Sequence, residues 1–163
     1  MVPVNARPQA KPAAPYQIKA AYLFNFTRFV EWPSDAFRSS GSSFIIGVVG
    51  NKDLSDYLIE IVAGEKINNR PIRVRYFRNL NEVDDCNILF LNSSNASAIR
   101  EGITSLNRRS ILTVSDAEDF LHWGGMVRFY TQDNKIRIQI NAASARAGDL
   151  QISSKLLNVA TKF

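Results

Sequence analysis

Cysteine and histidine each occur once in these 163 residues, as Cys86 and His122. A lone cysteine cannot form an internal disulfide, and its place at the mouth of an apolar strand suits a small buried hydrophobe. One histidine with no histidine or cysteine beside it does not supply the donors of a zinc site. It also lacks the G-x-S-x-G turn that would present a serine for triad chemistry. No apolar run approaches the roughly 18 residues needed to cross a bilayer. The basic residues, 20 against 15 acidic for a formal charge of +5, are spread along the chain. Dispersed positive charge favours an acidic partner or anionic surface but offers no motif for nucleic acid.

Phosphate chemistry is equally thin. Gly47-Val48-Val49-Gly50-Asn51-Lys52-Asp53 follows an expected strand and precedes a helix, yet matches neither dinucleotide nor P-loop patterns. A weak anion site at that helix start, around Asn51 and Lys52, is what remains. Asp84-Asp85 precedes a strand rather than ending one, so it cannot serve as the phosphoacceptor pair of a receiver domain. The chain is expected to bind rather than convert.

What is present reads as one α/β domain over residues 16–163, preceded by a flexible Pro/Ala-rich arm at 1–15 that holds four of the six prolines. A helix is predicted from Tyr16 to Glu31 or Trp32, where Pro33 stops it. Its apolar side chains cover most of its circumference, so it should be buried on more than one side or completed by another chain. Residues 43–50 and 87–91 read as strands covered on both faces, and 71–77 as a half-exposed one. Helices are expected at 53–62, with Asn51 or Asp53 near its cap, and at 95–106, a fourth strand at 111–114, and a short helix at 117–122. Met126–Tyr130 and Lys135–Ile140 should form an antiparallel hairpin around 131–134. Asn141 and Ser153 or Ser154 suit the caps of two last helices, with Gly148 ending the first of them. The sum is a Rossmann-like layered sandwich: a mostly parallel central sheet, a C-terminal antiparallel hairpin and flanking helices.

Aromatic and basic side chains supply the candidate binding surface. Phe24, Trp32 and Phe37, with Arg28 and Glu31 beside them, are candidates for a partner- or dimer-facing patch, since exposed aromatics make good anchors. Arg146 and Lys155 are secondary candidates. Trp123 and Arg128 mark a second possible place for a small ligand, besides Asn51 and Lys52.

Two blocks carry a resemblance. Lys19-Ala20-Ala21-Tyr22-Leu23-Phe24-Asn25-Phe26-Thr27-Arg28-Phe29-Val30-Glu31-Trp32-Pro33 is similar to the opening helix of the YfiR family of periplasmic regulators. Gly124-Gly125-Met126, Ile140-Asn141, Ala147-Gly148, Ser153-Ser154-Lys155-Leu156-Leu157 and Ala160 resemble its closing block. The resemblance implies a non-catalytic periplasmic protein, cut from a signal peptide and commonly dimeric, that needs no cofactor. It implies binding to the periplasmic sensor domain of a membrane-bound diguanylate cyclase, holding cyclic di-GMP synthesis down. An outer-membrane lipoprotein or a redox change would release that hold. One departure concerns redox: some members bridge the first strand to the position of Cys86, where this chain offers only Ile45 and Ile46. The rival expectation is a periplasmic small-molecule-binding module serving another sensor system.

Overall fold

The computed structural model describes residues 12–163 apart from Ser93 and Asn95, so positions 1–11 of the arm and the expected helix start at Asn95 lie outside the described residues. In chain order the elements are α1 (Pro15–Phe29), β1 (Val30–Glu31), β2 (Phe44–Val49), α2 (Lys52–Val62), β3 (Lys66–Ile67), β4 (Arg70–Phe77), β5 (Ile88–Leu91), α3 (Ala96–Asn107), β6 (Leu112–Ser115), β7 (Val127–Gln132), β8 (Lys135–Ile140), α4 (Ala142–Ala147), β9 (Gln151–Ile152), α5 (Ser154–Val159) and β10 (Thr161–Lys162). Eight strands form one sheet in the order β10-β8-β7-β6-β5-β2-β4-β3, and β1 pairs separately with β9. β4, β2, β5, β6 and β7 run parallel. The β7–β8 hairpin is antiparallel, as expected of the chain's last third.

The apolar run of β2 is continuous because both its faces are covered. Phe44, Ile46 and Val48 enter a core shared with Leu23 and Phe26 of α1 and Leu54 and Leu58 of α2. Val49 enters a second core, with Leu89, Leu91 and the α3 residues Ile99, Ile103 and Leu106. Aromatic rings bind α1 to the sheet: Phe129 lies 5.7 Å from Tyr22, 6.4 Å from Phe26 and 6.1 Å from Phe90 between ring centres. Such pairs add roughly 0.5–1.5 kcal/mol each beyond the area they bury.

α1 ends sooner than the expected Glu31 or Trp32. Val30 is extended, at φ −127° and ψ 140°. A competing backbone partner explains the break, since Val30 pairs with Ile152 and Glu31 with Gln151. The N–H of Ser153 also donates to the Phe29 carbonyl at 2.8 Å. Position 30 is β-branched and costs little to extend.

The helix expected at 117–122 is instead a set of turns. α4 and α5 are just as short, but in this segment the backbone bonds close turns instead. Here the Phe120 carbonyl accepts from both Trp123 (3.2 Å) and Gly125 (3.0 Å). A Cβ at Gly125 would lie 2.3 Å from the Phe120 ring, so only glycine lets the chain fold back over it. The hairpin turn is tighter than expected: Asp133 and Asn134 alone carry it, at φ 53° and 59°. Two left-handed residues match the twist of the flanking strands.

The caps fall where the sequence places them. Asn51 accepts from the N–H of Leu54 at 3.0 Å, Asn141 from that of Ser144 at 3.1 Å, and Ser153 from that of Leu156 at 3.3 Å. After α4, however, Asp149 and not Gly148 takes the left-handed conformation, at φ 60°. Its N–H reaches Arg146 O at 3.0 Å, and that of Leu150 reaches Ala145 O at 3.0 Å. This closes the helix as a glycine normally would.

Candidate functional site

The end of α1 gathers part of the expected partner surface. Arg28, in the last turn, sets its guanidinium 5.1 Å from the centre of the Phe24 ring, which is half-buried against the first core. The β1–β9 ladder then ties Glu31 to Gln151. Arg146 precedes that ladder at the end of α4, and Lys155 follows it in the first turn of α5. Arg28, Glu31, Arg146 and Lys155 are all exposed. The chain path thus places charges of both signs on the segments that flank one short ladder.

Trp32 and Phe37 belong to a different neighbourhood. Trp32 donates its indole Nε1–H to Asn87 O at 2.9 Å and stands edge-on to Phe44, 4.8 Å between ring centres. Phe37 lies 6.2 Å from the same Phe44 ring and carries the Arg70 guanidinium 3.8 Å above it. Arg70 also donates to Ser39 O (2.7 Å) and Ser42 O (2.9 Å), pinning the loop before β2. Both aromatics hold the amino end of the sheet in shape.

The expected small-ligand residues divide as well. Asn51 is engaged as the cap of α2, and Lys52 pairs with Asp56 at 2.6 Å while lying over Tyr76. Trp123 packs against the second core. Arg128 lines a cavity of about 370 Å³ with Lys19, Asp116, Tyr130 and Ile136. Its Nε is buried without a hydrogen-bond partner, while Lys19 pairs with Asp116 at 2.9 Å. Trp123 is not on that cavity's wall, so the structure separates the two. His122 is exposed and sits edge-on to Phe163 at 4.9 Å. Among the described residues no three His, Cys, Asp or Glu side chains gather as a metal site would require.

A larger cleft, about 580 Å³, lies at the amino ends of β2, β5 and β6. Arg38, Arg73, Arg75 and Arg109 line it together with Asp35, Asp84 and Asp85. Phe37, Ile45, Cys86 and Ile111 give it an apolar wall. Arg75 pairs with Asp84 at 3.6 Å and Arg109 with Asp85 at 3.7 Å; Arg38 also bonds Asp85. The alternation of Arg73 and Arg75 along β4 was the one sequence signal for this cleft. Arg38 and Arg109 join them only through loops, which periodicity does not read.

Cys86 is 7% exposed and free. Burial pushes its thiol up from 9.0 to about 12, with Arg109 drawing it partly back. A thiol so held is a poor nucleophile at neutral pH.

No helix among the described residues is long and apolar enough to cross a membrane. A family model described as YfiR/HmsC-like matches residues 16–161. Among curated proteins nothing matches the sequence. A crystal structure of a conserved domain protein from Vibrio cholerae O1 biovar El Tor is similar in fold, with a TM-score of 0.60 at 13% identity. The alignment covers 91% of this chain and 60% of that one, so the chain spans less than two thirds of the length of that protein.

Proposed function

This chain belongs to the YfiR/HmsC-like family, and from that premise we propose that it is a non-enzymatic periplasmic regulator that represses a membrane-bound diguanylate cyclase. The family is known for regulators of such cyclases. The match over residues 16–161 carries the reading. In this reading residues 16–163 act as one domain with 1–15 as an arm, and the protein works as a homodimer. It binds the periplasmic sensor domain of the cyclase, and an outer-membrane lipoprotein withdraws it. Repression requires that the protein prefer the inactive state of that sensor domain, since equal affinity for both states shifts nothing.

The contact surface we assign is Phe24, Arg28 and Glu31, with Arg146 and Lys155 around the β1–β9 ladder; Trp32 and Phe37 support it from the amino end of the sheet. The half-buried Phe24 ring under Arg28 supports this choice, because an aromatic–arginine pair at a surface is typical of interface anchors. Calorimetry against the periplasmic domain of a diguanylate cyclase from the same organism tests it. Micromolar affinity, about −8 kcal/mol, is expected, and Phe24→Asp should abolish binding or dimerisation with the fold intact. A folded Phe24→Asp variant with unchanged mass and unchanged cyclase inhibition would overturn the assignment.

A second reading, a periplasmic small-molecule-binding module serving another sensor system, draws on the cavity beside Arg128 and its unpartnered Nε. A metabolite that raises the melting temperature would favour it.

A further inference from the structure

We infer that the cleft at the amino end of the sheet binds a small organic anion: a monophosphate ester attached to a flat heterocycle that carries an N–H donor. The cleft exists because of how the chain crosses from β4 to β5. That connection, residues 78–87, contains only one short 3₁₀ turn, Leu80–Glu82, and no α-helix. α3 therefore covers the sheet over Val49, Leu89 and Leu91, while Ile45, Arg73 and Arg75 border open space. An uncovered sheet face would ordinarily be polar throughout. This one combines an apolar wall, from Phe37, Ile45 and Ile111, with four guanidinium groups and three carboxylates.

The charges specify the ligand. Four arginines against three aspartates leave the cleft positive. Arg73 donates its Nε–H to Ser43 Oγ at 3.1 Å and, among the described residues, has no ion-pair partner. The pairs made by Arg75 and Arg109 are long and solvent-exposed, so a phosphate can displace them at small cost. Planar guanidinium forks fit phosphate oxygens two at a time. The aspartates repel any second anionic group but accept from N–H donors such as the exocyclic amine of a heterocycle, which a polycarboxylate lacks. The cleft volume, about 580 Å³, lies within the usual range for small-molecule sites. This inference is independent of the partner surface at α1.

Adenosine 5′-monophosphate is the probe, titrated by calorimetry and by backbone amide shifts, with adenosine and inorganic phosphate run alongside. The expected result is binding of the monophosphate, with shifts centred on Ser43, Arg73 and Asn87. Arg73→Gln combined with Arg109→Gln should weaken it at least roughly tenfold, the loss of one charge-assisted hydrogen bond. Should the double variant fail to fold, Arg75→Gln alone, at an exposed position, serves the same purpose. No binding at millimolar monophosphate, shifts centred on Asn51 and Lys52 instead, or affinity unchanged in the variants would overturn the site. Inorganic phosphate moving the same amides as strongly as the monophosphate would overturn the organic ligand.

Discussion

At the carboxyl ends of β2 and β5 polar groups bond across the crevice itself, whereas at the amino ends the paired arginines line an open cleft. The strand order reverses at β2, whose neighbours are β4 on one side and β5 on the other. Open α/β sheets present their ligand crevice at the carboxyl side of such a point. Here that place is filled from within. Asn92 donates its Nδ2–H to Gly50 O at 2.7 Å and its backbone N–H to Val49 O at 3.1 Å. Asn51 is the cap of α2, and Lys52 is paired with Asp56. The amino end has the opposite character. There the missing crossover helix exposes the sheet, and arginines occupy positions a helix would have dried. Topology names the usual place for a ligand; the hydrogen-bond account decides whether any donor is left to offer.

Four substitutions sharpen or break this contrast. Phe129 joins α1 to the sheet through Tyr22, Phe26 and Phe90, so Phe129→Ala should destabilise the whole molecule by about 3–5 kcal/mol, read from urea unfolding. A much smaller loss would mean that the ring cluster does not hold α1 to the sheet. Asn87→Ala acts on the amino end alone. The Asn87 side chain accepts from Ile45 N–H at 2.9 Å, and without it that donor is left unpaired beside β2. A cost of about 2 kcal/mol is expected, with hydrogen exchange quickened at Ile45.

The third test is pH. Cys86 holds its proton in the folded state up to about 12, while the unfolded thiol loses it near 9.0. Above 9.0 the unfolded chain therefore binds fewer protons than the folded one, and stability falls as pH rises through that window, by at most about 1.4 kcal/mol per pH unit. Below 9.0 this contribution is constant. Melting curves of wild type and Cys86→Ala should diverge only on the alkaline side; parallel curves would place the thiol in water. The smallest effect belongs to the carboxyl end, where Asn51→Ala removes a cap for about 1 kcal/mol and should leave amides at Arg73 and Asn87 unmoved.

Much of the sheet was legible because its strands carry their own signal. β2 and β5 are short apolar runs, β7 and β8 alternate, and Asn51, Asn141 and Ser153 announce the helices they cap. The two-residue strands β1, β3, β9 and β10 were not legible, since a pair of residues has no period. Their pairing partners lie far away in the chain, and that pairing also shortened α1. At the candidate surface, aromatic character alone did not separate Phe24, beside an arginine at the end of α1, from Trp32 and Phe37. The latter two pack on Phe44, and Trp32 also bonds Asn87, which lies far outside any local window. The arginine cleft was legible only in the alternation of Arg73 and Arg75, because Arg38 and Arg109 reach it through loops distant in sequence.

The β1–β9 ladder also dictates an order of events as the protein is made. Val30 waits for Ile152, so a chain emerging from a ribosome cannot close this ladder until nearly all of it has appeared. Contacts this distant in sequence are slow to form. The ladder is a seam that closes late, joining the end of the first helix to the closing stretch of the chain.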